Sequence, residues 1–549
     1  MGGAACATLR AVTAARLPRP GSPSAVPRIA SKRYDAPVTT AHTVASLVAE
    51  LEGARLVRGD GATAIDAVEH DSRRLSPGGL FVAVPGFKVD GHEFLSVAAR
   101  KGSSAVLVQA DRRELWERIP EGPAVIAVPD TRRALSRAAA WSYGFPSREL
   151  VVIGVTGTDG KTTTSHLLTS VLEAAGAKVG RLGTVDVYLP GEHGEVENRM
   201  STPEAPEVHR LLRRFVAAGC DFAIVESTSH GLALQRLADV EYDIAVLTNV
   251  TGDHLDFHKT FEAYREAKAL LFEALDHSTE KGAPKVAVVN ADDPSAHYML
   301  SKTRALPLRY GFEARDADVR AQNVHLRADG SGFRLLTPQG TIDAEIHIPA
   351  LFNVANAMAA ATAGLAAGVS LPNIARGLAE AEGVPGRMER IIAGQPFEVL
   401  VDYAHTGDAV RKVLEVMRAV CRGKLMIVVG AAGERDPGRR FGVGRAAAEN
   451  ADFAVFTSED PRSEDPAEIV SEIARHATAV GRVAGQDFIE VVDRREAIRS
   501  ALGRANEGDV VIIAGKGHEQ SIMSGRESIP WDDRDVTREE LARLGYSQP

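Results

Sequence analysis

Residues 154–164 read Gly-Val-Thr-Gly-Thr-Asp-Gly-Lys-Thr-Thr-Thr and follow directly on an apolar run at 150–153. The pattern predicts a strand that enters a glycine-rich turn, with Lys161 and Thr162 opening the next helix. Backbone N–H groups of such a turn can surround a triphosphate, a lysine can reach its outer phosphates, and a threonine hydroxyl can bind Mg²⁺. The strict pattern G-x-x-x-x-G-K-[ST] would need glycine at Val155, so the match is to a shorter form, G-T-x-G-K-T.

An ordinary tight turn between a strand and a helix is the alternative interpretation. The spacing of glycine, lysine and threonine matches the shorter motif at every position, which favours ATP binding instead. The residues that we expect to contact the nucleotide here are Gly157, Thr158, Asp159, Gly160, Lys161, Thr162 and Thr163.

The composition is typical of a large globular protein. The chain has 549 residues, 44% of them hydrophobic and 25% charged, with a formal net charge of −9. At about 150 residues per domain we expect three or four domains, and no apolar run approaches the ~20 residues of a membrane span. The negative charge argues against a general binder of nucleic acid or membrane surfaces. Three cysteines without metal-ligand spacing suit a reducing compartment, so we expect a cytoplasmic protein. We also expect a monomer.

Residues 1–40 differ from the rest of the chain. They are rich in Ala, Ser and Pro, and no acidic residue precedes Asp35. We expect an N-terminal extension without fixed structure. An organellar transit peptide, a disordered tail and translated upstream sequence all fit this composition.

The remaining pattern predicts an α/β protein of three domains: a mixed domain at 41–147, a central domain at 148–384 and a C-terminal domain at 385–549. Strands and helices alternate in the second and third domains, which indicates mostly parallel sheets with ligands at the carboxyl ends of the strands. The predicted strands are 151–155, 222–226, 244–249 and 286–290 in the central domain, and 398–401, 424–429, 453–457 and 510–514 in the C-terminal domain.

Two predicted strand ends carry candidate metal ligands. Glu226 ends one strand, and His254 follows the next, so both could complete a Mg²⁺ site with Thr162. Histidine is an unusual ligand for this ion, which prefers oxygen. We expect His258, one helical turn beyond His254, at the surface or beside the ligands.

A lysine occupies the apolar face of the helix predicted near 260–275. Lys268 shares the spacing of Phe261, Tyr264, Leu271 and Leu275. Such a lysine usually extends its charge to water. If it were buried, its pKa would fall, and the neutral amine could react with CO₂ to form a carbamate that binds Mg²⁺. The pattern leaves both interpretations open.

Six motifs together resemble those of the ATP-dependent Mur ligases, in order and over about residues 45–545. They are G-T-D-G-K-T-T at 157–163, E-S-T-S-H at 226–230, T-N-V-T-G-D-H-L-D at 248–256, Y-R-E-A-K at 264–268, N-A-D-D at 290–293 and D-Y-A-H-T at 402–406. The resemblance implies a UDP-binding domain, a central ATPase domain and a Rossmann-like domain that brings the amino acid. It also implies an amide ligase that uses ATP and Mg²⁺ and passes through an acyl phosphate.

The resemblance assigns roles to particular residues. Thr162, Glu226, His254 and a carbamylated Lys268 correspond to metal ligands, and the last three join Lys161 as catalytic residues. Asn290 and Asp402 correspond to adenosine contacts and Arg387 to a phosphate contact. The residues that correspond to contacts of the UDP-muramoyl dipeptide are Ser72, Lys88, Ser201, Thr202, Thr228, Ser229 and Arg236.

The chain departs from the family pattern at three places. Ala350 replaces a glycine, Gly407 replaces a proline, and Thr228 stands where serine is usual. None of these changes removes a charged group.

The resemblance implies that the incoming amino acid is a diamino acid. Family members that add diaminopimelate carry D-N-P-R where this chain has Glu459-Asp-Pro-Arg. Diaminopimelate presents a carboxylate and an ammonium at its far end, whereas lysine presents only the ammonium. Arginines can bind a carboxylate through paired hydrogen bonds. Asp460 in place of asparagine adds a negative charge, which mildly disfavours binding of a carboxylate. The resemblance implies diaminopimelate, with L-lysine or another diamino acid as the alternative; the corresponding residues are Arg435, Glu459, Asp460, Pro461, Arg462, Gly515 and Glu519.

Two other functions compete with this assignment. A folylpolyglutamate synthetase would share the nucleotide loop but would lack a domain like residues 45–145. A non-catalytic plastid relative of the Mur ligases would fit the basic N-terminus, yet it would have no chemical need for the full set of catalytic residues.

Overall fold

The computed structural model describes residues 42–87, 89–190, 192–194, 202–252, 255–327, 329–435 and 438–546. Counted over these residues, the strands form sheets of five, eight, three, six and two strands. The expected extension at 1–40 lies outside the described residues. The mostly parallel α/β architecture confirms the fold class inferred from the sequence.

The N-terminal sheet has the strand order β1-β5-β4-β3-β2, and every pair except β1–β5 is parallel. Two apolar clusters cover the two faces of this sheet, so β4 and β5 are buried on both sides. The strands are β1 Arg55–Arg58, β2 Val68–Glu69, β3 Leu80–Val82, β4 Ala105–Gln109 and β5 Ala124–Val128. The helices are α1 Val44–Glu50, α2 Leu95–Arg100, α3 Arg113–Trp116 and α4 Thr131–Ser142.

The central sheet has the order β13-β12-β11-β6-β10-β7-β8-β9, and it is parallel from β13 to β7. Its strands are β6 Val151–Thr156, β7 Val179–Leu182, β8 Val187–Leu189, β9 Glu192–Gly194, β10 Phe222–Glu226, β11 Ile244–Leu247, β12 Val286–Asn290 and β13 Leu306–Tyr310. Its helices are α5 Lys161–Ala174, α6 Ala205–Ala217, α7 Ser229–Ala233, α8 Leu255–His258, α9 Phe261–His277 and α10 Ala296–Leu300.

The register of the central sheet places three strand ends together. Strand β6 lies between β10 and β11, with Glu226 opposite Val155 and Leu247 opposite Thr156. Because these strands are parallel, the loops that follow them leave the same edge of the sheet, as expected for a ligand site.

The alternation of strands and helices does not continue to residue 380 as expected. Three successive strands instead form a separate sheet of order β14-β15-β16, followed by two helices. Most side chains of β14 and β16 are exposed and many of them are polar, which explains why these strands do not join a buried parallel sheet. The elements are β14 Arg320–Arg327, β15 Gly330–Thr337, β16 Gly340–Ile346, α11 Leu351–Ala366 and α12 Leu371–Glu380.

The C-terminal sheet has the order β17-β18-β22-β19-β20-β21, parallel except for β17, and a hairpin of β23 and β24 follows it. The strands are β17 Glu389–Arg390, β18 Glu398–Asp402, β19 Leu425–Val429, β20 Phe453–Phe456, β21 Phe488–Glu490, β22 Val510–Ala514, β23 Ser521–Ser524 and β24 Glu527–Pro530. The helices are α13 Gly407–Val420, α14 Gly438–Asn450, α15 Pro466–Ala479, α16 Arg494–Leu502 and α17 Asp533–Arg543.

The chain divides into two compact units. The first runs to Arg320 and includes 335–342 and 355–377; the second comprises 321–334, 343–354 and the chain from Leu378 onward. The domain boundaries inferred from the sequence, at 147 and 384, remain predictions. Among the residues described, no helix is both long and apolar enough to cross a membrane.

Candidate active site

The predicted phosphate-binding loop, residues 157–162, connects β6 to α5 as the sequence indicated. Gly157 and Gly160 have φ angles of 153° and 82°, and α5 begins at Lys161. A Cβ atom on Gly157 would lie 1.8 Å from Thr248 Oγ1, and one on Gly160 would lie 2.2 Å from Asn356 Oδ1. Only glycine fits at either position, and the helix N-terminus leaves N–H groups available to an anion.

The loop after β11 fixes the shape of the phosphate-binding loop. The N–H of Thr158 donates to Asn249 O at 2.8 Å, and the N–H of Asp159 donates to Asn249 Oδ1 at 3.0 Å. The hydroxyl of Thr248 donates to Asp159 O at 2.6 Å. Asn290, which we expected to contact adenosine, donates its amide to Thr248 O at 2.9 Å and so braces the same loop.

Two lysine side chains converge on one carbonyl oxygen of the phosphate-binding loop. Lys161 Nζ donates to Gly157 O at 2.9 Å, and Lys268 Nζ donates to the same atom at 2.6 Å. Lys268 is 1% exposed and lies over the ring of Tyr264, 4.4 Å from its centroid. The interpretation in which Lys268 reaches water is therefore wrong, because its whole side chain packs inside the domain. Two amino groups beside one oxygen create a site that favours an anion.

Glu226 is fully buried at the end of β10 and faces the start of α5. Its Oε2 accepts hydrogen bonds from Thr162 Oγ1 at 3.0 Å and from Thr184 Oγ1 at 2.8 Å. Its Oε1 is buried and has no hydrogen-bond partner within the described part of the chain. A Cβ atom on Gly183 would lie 2.7 Å from that oxygen, so glycine keeps the space beside it open. A buried oxygen left in this way suits a hard cation such as Mg²⁺.

The histidines of the predicted metal site are only partly described. His254 lies outside the described residues, and those that are described contain no group of three His, Cys, Asp or Glu side chains able to hold a metal. His258 is 8% exposed, and its ring lies 5.4 Å from that of His230 and 5.2 Å from that of Tyr264. A surface position for His258 is therefore excluded, because aromatic rings enclose it.

Four residues that we expected to contact the UDP-muramoyl dipeptide lie around the same strand end. Thr202 Oγ1 donates to Glu226 O at 3.0 Å and lies 2.9 Å from Thr228 Oγ1. Arg236 donates to Thr202 O at 3.0 Å, and Ser229 is buried in the first turn of α7. Ser201 lies outside the described residues.

The expected uridine contacts belong to the N-terminal sheet. Ser72 is 9% exposed, and Lys101 Nζ donates to its carbonyl oxygen at 2.7 Å. This contact fixes the turn that follows β2. Lys88 lies outside the described residues.

Asp402 and Arg387 lie in the second unit. The carboxylate of Asp402 accepts the N–H groups of Met388 and Ala404, both at 2.8 Å, and its burial raises its pKa. The guanidinium of Arg387 lies over the ring of Tyr403, 4.7 Å from its centroid. Both predicted nucleotide contacts are thus held in fixed positions at the end of β18.

Glu459 follows β20 and faces the predicted Gly515. Glu459 is 7% exposed, and its Oε2 has no hydrogen-bond partner in the portion of the chain that is described. Burial raises its pKa to about 7. Gly515 has φ 113°, and a Cβ atom there would lie 2.8 Å from Glu459 Oε2. A neutral carboxyl or its anion at this position can accept a hydrogen bond from an amino group.

The arginine loops predicted to bind the amino acid pack against each other. The N–H of Gly433 donates to Asp460 O at 2.8 Å, and a Cβ atom on Gly433 would lie 2.2 Å from Pro461 O. Arg462 has φ 54° and is held by the hairpin, since its N–H donates to Met523 O at 2.9 Å. Arg435, in the loop of Gly433, is exposed.

Two residues at these sites were not predicted from the sequence. Thr184 follows β7, a strand that the pattern did not indicate, and its hydroxyl orients Glu226. Lys516 lies next to the predicted Gly515 and pairs with both Asp460 and Glu519. The G-K-G-H-E motif contains Lys516 and was the available signal for it.

Comparisons with known proteins agree with this geometry. Three family models match the chain: the Mur ligase family catalytic domain over residues 64–143, the Mur ligase middle domain over 155–364, and the Mur ligase glutamate ligase domain over 386–517.

Individual relatives cover nearly the whole chain. It is 47% identical over 491 residues to a UDP-N-acetylmuramyl-tripeptide synthetase of Roseiflexus sp. (strain RS-1), across 88% of this chain and 95% of that protein. It is 42% identical over 493 residues to a UDP-N-acetylmuramoyl-L-alanyl-D-glutamate–2,6-diaminopimelate ligase of Geobacillus thermodenitrificans (strain NG80-2), across 90% and 98%. A solved structure of a ligase with the same name as the latter matches with a TM-score of 0.66 and 28% identity, across 92% of this chain and all of that one (100%).

Proposed function

The chain belongs to the Mur ligase family, and we propose that it joins meso-diaminopimelate to UDP-N-acetylmuramoyl-L-alanyl-D-glutamate in the synthesis of peptidoglycan precursors. It is an ATP-dependent ligase of the tripeptide synthetase type. The observation that carries the proposal is the edge of the central sheet where Lys161, Lys268, Thr162 and Glu226 meet the phosphate-binding loop.

The residues of the phosphate-binding loop bind and orient the nucleotide. Lys161 Nζ exchanges its contact with Gly157 O for the outer phosphates, while the first N–H groups of α5 face the phosphate oxygens. The carboxylate of the bound dipeptide attacks the γ-phosphate of ATP, which breaks the bond to ADP and gives an acyl phosphate. The amine of the incoming amino acid then attacks the acyl carbon, so that phosphate leaves and the amide forms. Negative charge develops on the phosphate oxygens next to the ammonium of Lys161, which stabilises it.

Thr162 and Glu226 are the residues that would hold Mg²⁺, together with His254. The unpartnered Oε1 of Glu226 supports this assignment, since an anionic oxygen without a donor is the ligand that this ion prefers. When bound, the ion neutralises phosphate charge in the transition state.

Lys268 is the residue that would carry a carbamate. Its amine, when neutral, can add to CO₂ and release a proton, which converts it into an anionic oxygen ligand. Its burial and its position over Tyr264 support this role, since its Nζ already contacts Gly157 O of the phosphate-binding loop.

The arginines and acids of the second unit support diaminopimelate. Arg435 and Arg462 can bind the carboxylate at the far end of diaminopimelate. Glu459 and Glu519 can accept hydrogen bonds from the ammonium at that end. Thr202, Thr228 and Arg236 support binding of the dipeptide beside Glu226. We further propose that the protein is cytoplasmic and monomeric, and gel filtration tests the oligomeric state.

A phosphate-release assay tests the proposed function. Wild-type protein receives ATP, Mg²⁺, the UDP-muramoyl dipeptide and one of a panel of amino acids: meso-diaminopimelate, L-lysine or no amino acid. We expect sustained release only when all substrates are present, with diaminopimelate preferred, and a product heavier by one diaminopimelyl residue in mass spectrometry. Release without amide product, or a preference for L-lysine, would contradict the proposal. A Lys161→Met protein serves as the inactive control.

A further inference from the structure

A buried lysine joins two acids of the predicted amino-acid site. Lys516 follows β22 and is 1% exposed. Its Nζ lies 2.8 Å from Asp460 Oδ1 and 2.5 Å from Glu519 Oε2. Since an unpaired charge inside a protein is costly, these two carboxylates and the ammonium depend on one another.

Asp460 is held from a second side as well. Its Oδ1 also accepts the N–H of Met523, from the hairpin, at 2.9 Å. The carboxylate therefore has an ammonium and an amide donor on the same oxygen. Its negative charge is offset within the protein before any amino acid binds.

Glu519 is positioned by the same lysine. Its Oε2 contacts Lys516, and Tyr403 OH lies 3.5 Å from its Oε1. Glu519 thus has one oxygen fixed by the lysine and the other directed towards Tyr403. Without Lys516, both acids would lack their cationic partner.

The surrounding charges make this partner important. Glu459 is buried next to these groups, and its pKa is raised to about 7 by burial and, to a smaller extent, by the carboxylates of Asp460 and Glu519. The nearby Arg494 is engaged by Asp533 at 2.6 Å. Removal of Lys516 would leave Glu459, Asp460 and Glu519 with Arg494, which is already paired with Asp533, as the remaining cation described near them.

We propose that Lys516 is a specificity-determining residue, which neutralises Asp460 and so permits an amino acid whose far end carries a carboxylate. This inference rests on the proposed function. An unscreened Asp460 would repel the far carboxylate of diaminopimelate, whereas L-lysine has no such group and would be affected much less. The aspartate that replaces asparagine in this chain is therefore compatible with diaminopimelate because Lys516 pairs with it.

The test compares amino-acid selectivity in four full-length proteins: wild type, Lys516→Met, Asp460→Asn and the double variant. The quantity measured is kcat/KM for diaminopimelate divided by kcat/KM for L-lysine, with KM for ATP and the melting temperature alongside. We expect Lys516→Met to lower this ratio at least tenfold, the double variant to return it to within about threefold of wild type, and KM for ATP to change less than twofold. The exposed Lys424→Met serves as a matched control, with an unchanged ratio.

The outcomes separate the inference from the function on which it rests. If Lys516→Met lowers both kcat/KM values equally, Lys516 has only a structural role and the inference is overturned. If that variant does not fold, the double variant decides: a ratio near that of wild type supports the inference, and a tenfold loss with no acid at position 460 overturns it. A wild type that prefers L-lysine, or that uses neither amino acid, overturns the proposed function and the inference together.

Discussion

The hydroxyl of Thr162, in the helix that follows β6, donates a hydrogen bond of 3.0 Å to the carboxylate of Glu226, at the end of the adjacent parallel strand β10. Thr162 lies in the first turn of α5, and Glu226 ends β10. The contact brings both expected oxygen ligands together before a cation binds. Because the second oxygen of Glu226 lacks a partner among the described residues, the site is arranged for a ligand rather than for the stability of the fold.

Replacement of Glu226 by glutamine tests this arrangement. Glu226→Gln keeps the shape of the side chain but removes its charge, so we expect Mg²⁺ affinity in the presence of ATP to fall at least tenfold and phosphate release by roughly 100-fold. Calorimetric titration of Mg²⁺ and the release assay measure the two effects. The exposed Glu262→Gln is the control. Unchanged Mg²⁺ affinity in the Glu226 variant would exclude this carboxylate as a ligand.

Replacement of Lys268 tests the carbamate. We expect wild-type protein in ¹³C-labelled bicarbonate to give a carbamate resonance in the ¹³C spectrum, and Lys268→Ala to lose it. The same variant should bind ATP but lose ligase activity, because the anionic ligand beside Gly157 is missing. Full activity of Lys268→Ala without an added carboxylate, or the same resonance in both proteins, would refute the role.

The fold was predictable where local patterns decide it. Strands 222–226 and 286–290 have the predicted bounds, because continuous apolar runs with polar ends identify buried parallel strands. Strand β11 ends at Leu247, two residues before the predicted end, because Thr248 and Asn249 turn away to bond the phosphate-binding loop. Thr248 and Asp159 are 89 residues apart in sequence, so no local pattern contains that contact.

The candidate site was predictable in its residue types but not in its pairings. The spacing placed Lys268 on an apolar face, yet only the packing around Tyr264 excluded contact with water. Lys516 and Asp460 are 56 residues apart, and they meet because β20 and β22 end at the same edge of the sheet. A sequence pattern could identify Asp460 as unusual, but its partner follows only from the three-dimensional fold.

The buried His209 predicts sensitivity to acid. Both ring nitrogens lack a hydrogen-bond partner within the described ranges, and burial lowers its pKa to about 3. The unfolded chain binds a proton below about pH 6.5 and the folded protein does not, so stability falls as the pH drops from 6.5 towards 3.

We expect the free energy of unfolding to lose about 2 kcal/mol from this residue between pH 6.5 and pH 5. His209→Phe should remove that loss, and the exposed His277→Phe should retain it. Urea unfolding at the two pH values measures the difference. An equal loss in the wild type and in His209→Phe would contradict the assignment.

Glu459 gives the stability of the protein a pH dependence opposite to that from His209. Its pKa is raised to about 7, so the folded protein holds a proton that the unfolded chain loses near pH 4.5. Stability therefore falls as the pH rises from 4.5 through 7. We expect Glu459→Gln to be more stable than wild type at pH 8 by up to about 3 kcal/mol, with little difference at pH 4.5.

Urea unfolding at pH 4.5 and pH 8 measures this difference, and the exposed Glu468→Gln is the control. If the free energies of unfolding of wild type and Glu459→Gln change in parallel with pH, Glu459 is not protonated in the folded protein at neutral pH.

In the proposed reaction, the dipeptide carboxylate is activated by phosphoryl transfer at the site of Lys161 and Glu226. The most direct measurement uses a UDP-muramoyl dipeptide in which both oxygens of the reacting carboxylate are ¹⁸O. We expect one labelled oxygen in each inorganic phosphate released, because the acyl phosphate bridges through a carboxylate oxygen that leaves with the phosphate. Phosphate that is released along with tripeptide product but carries no label would contradict the account.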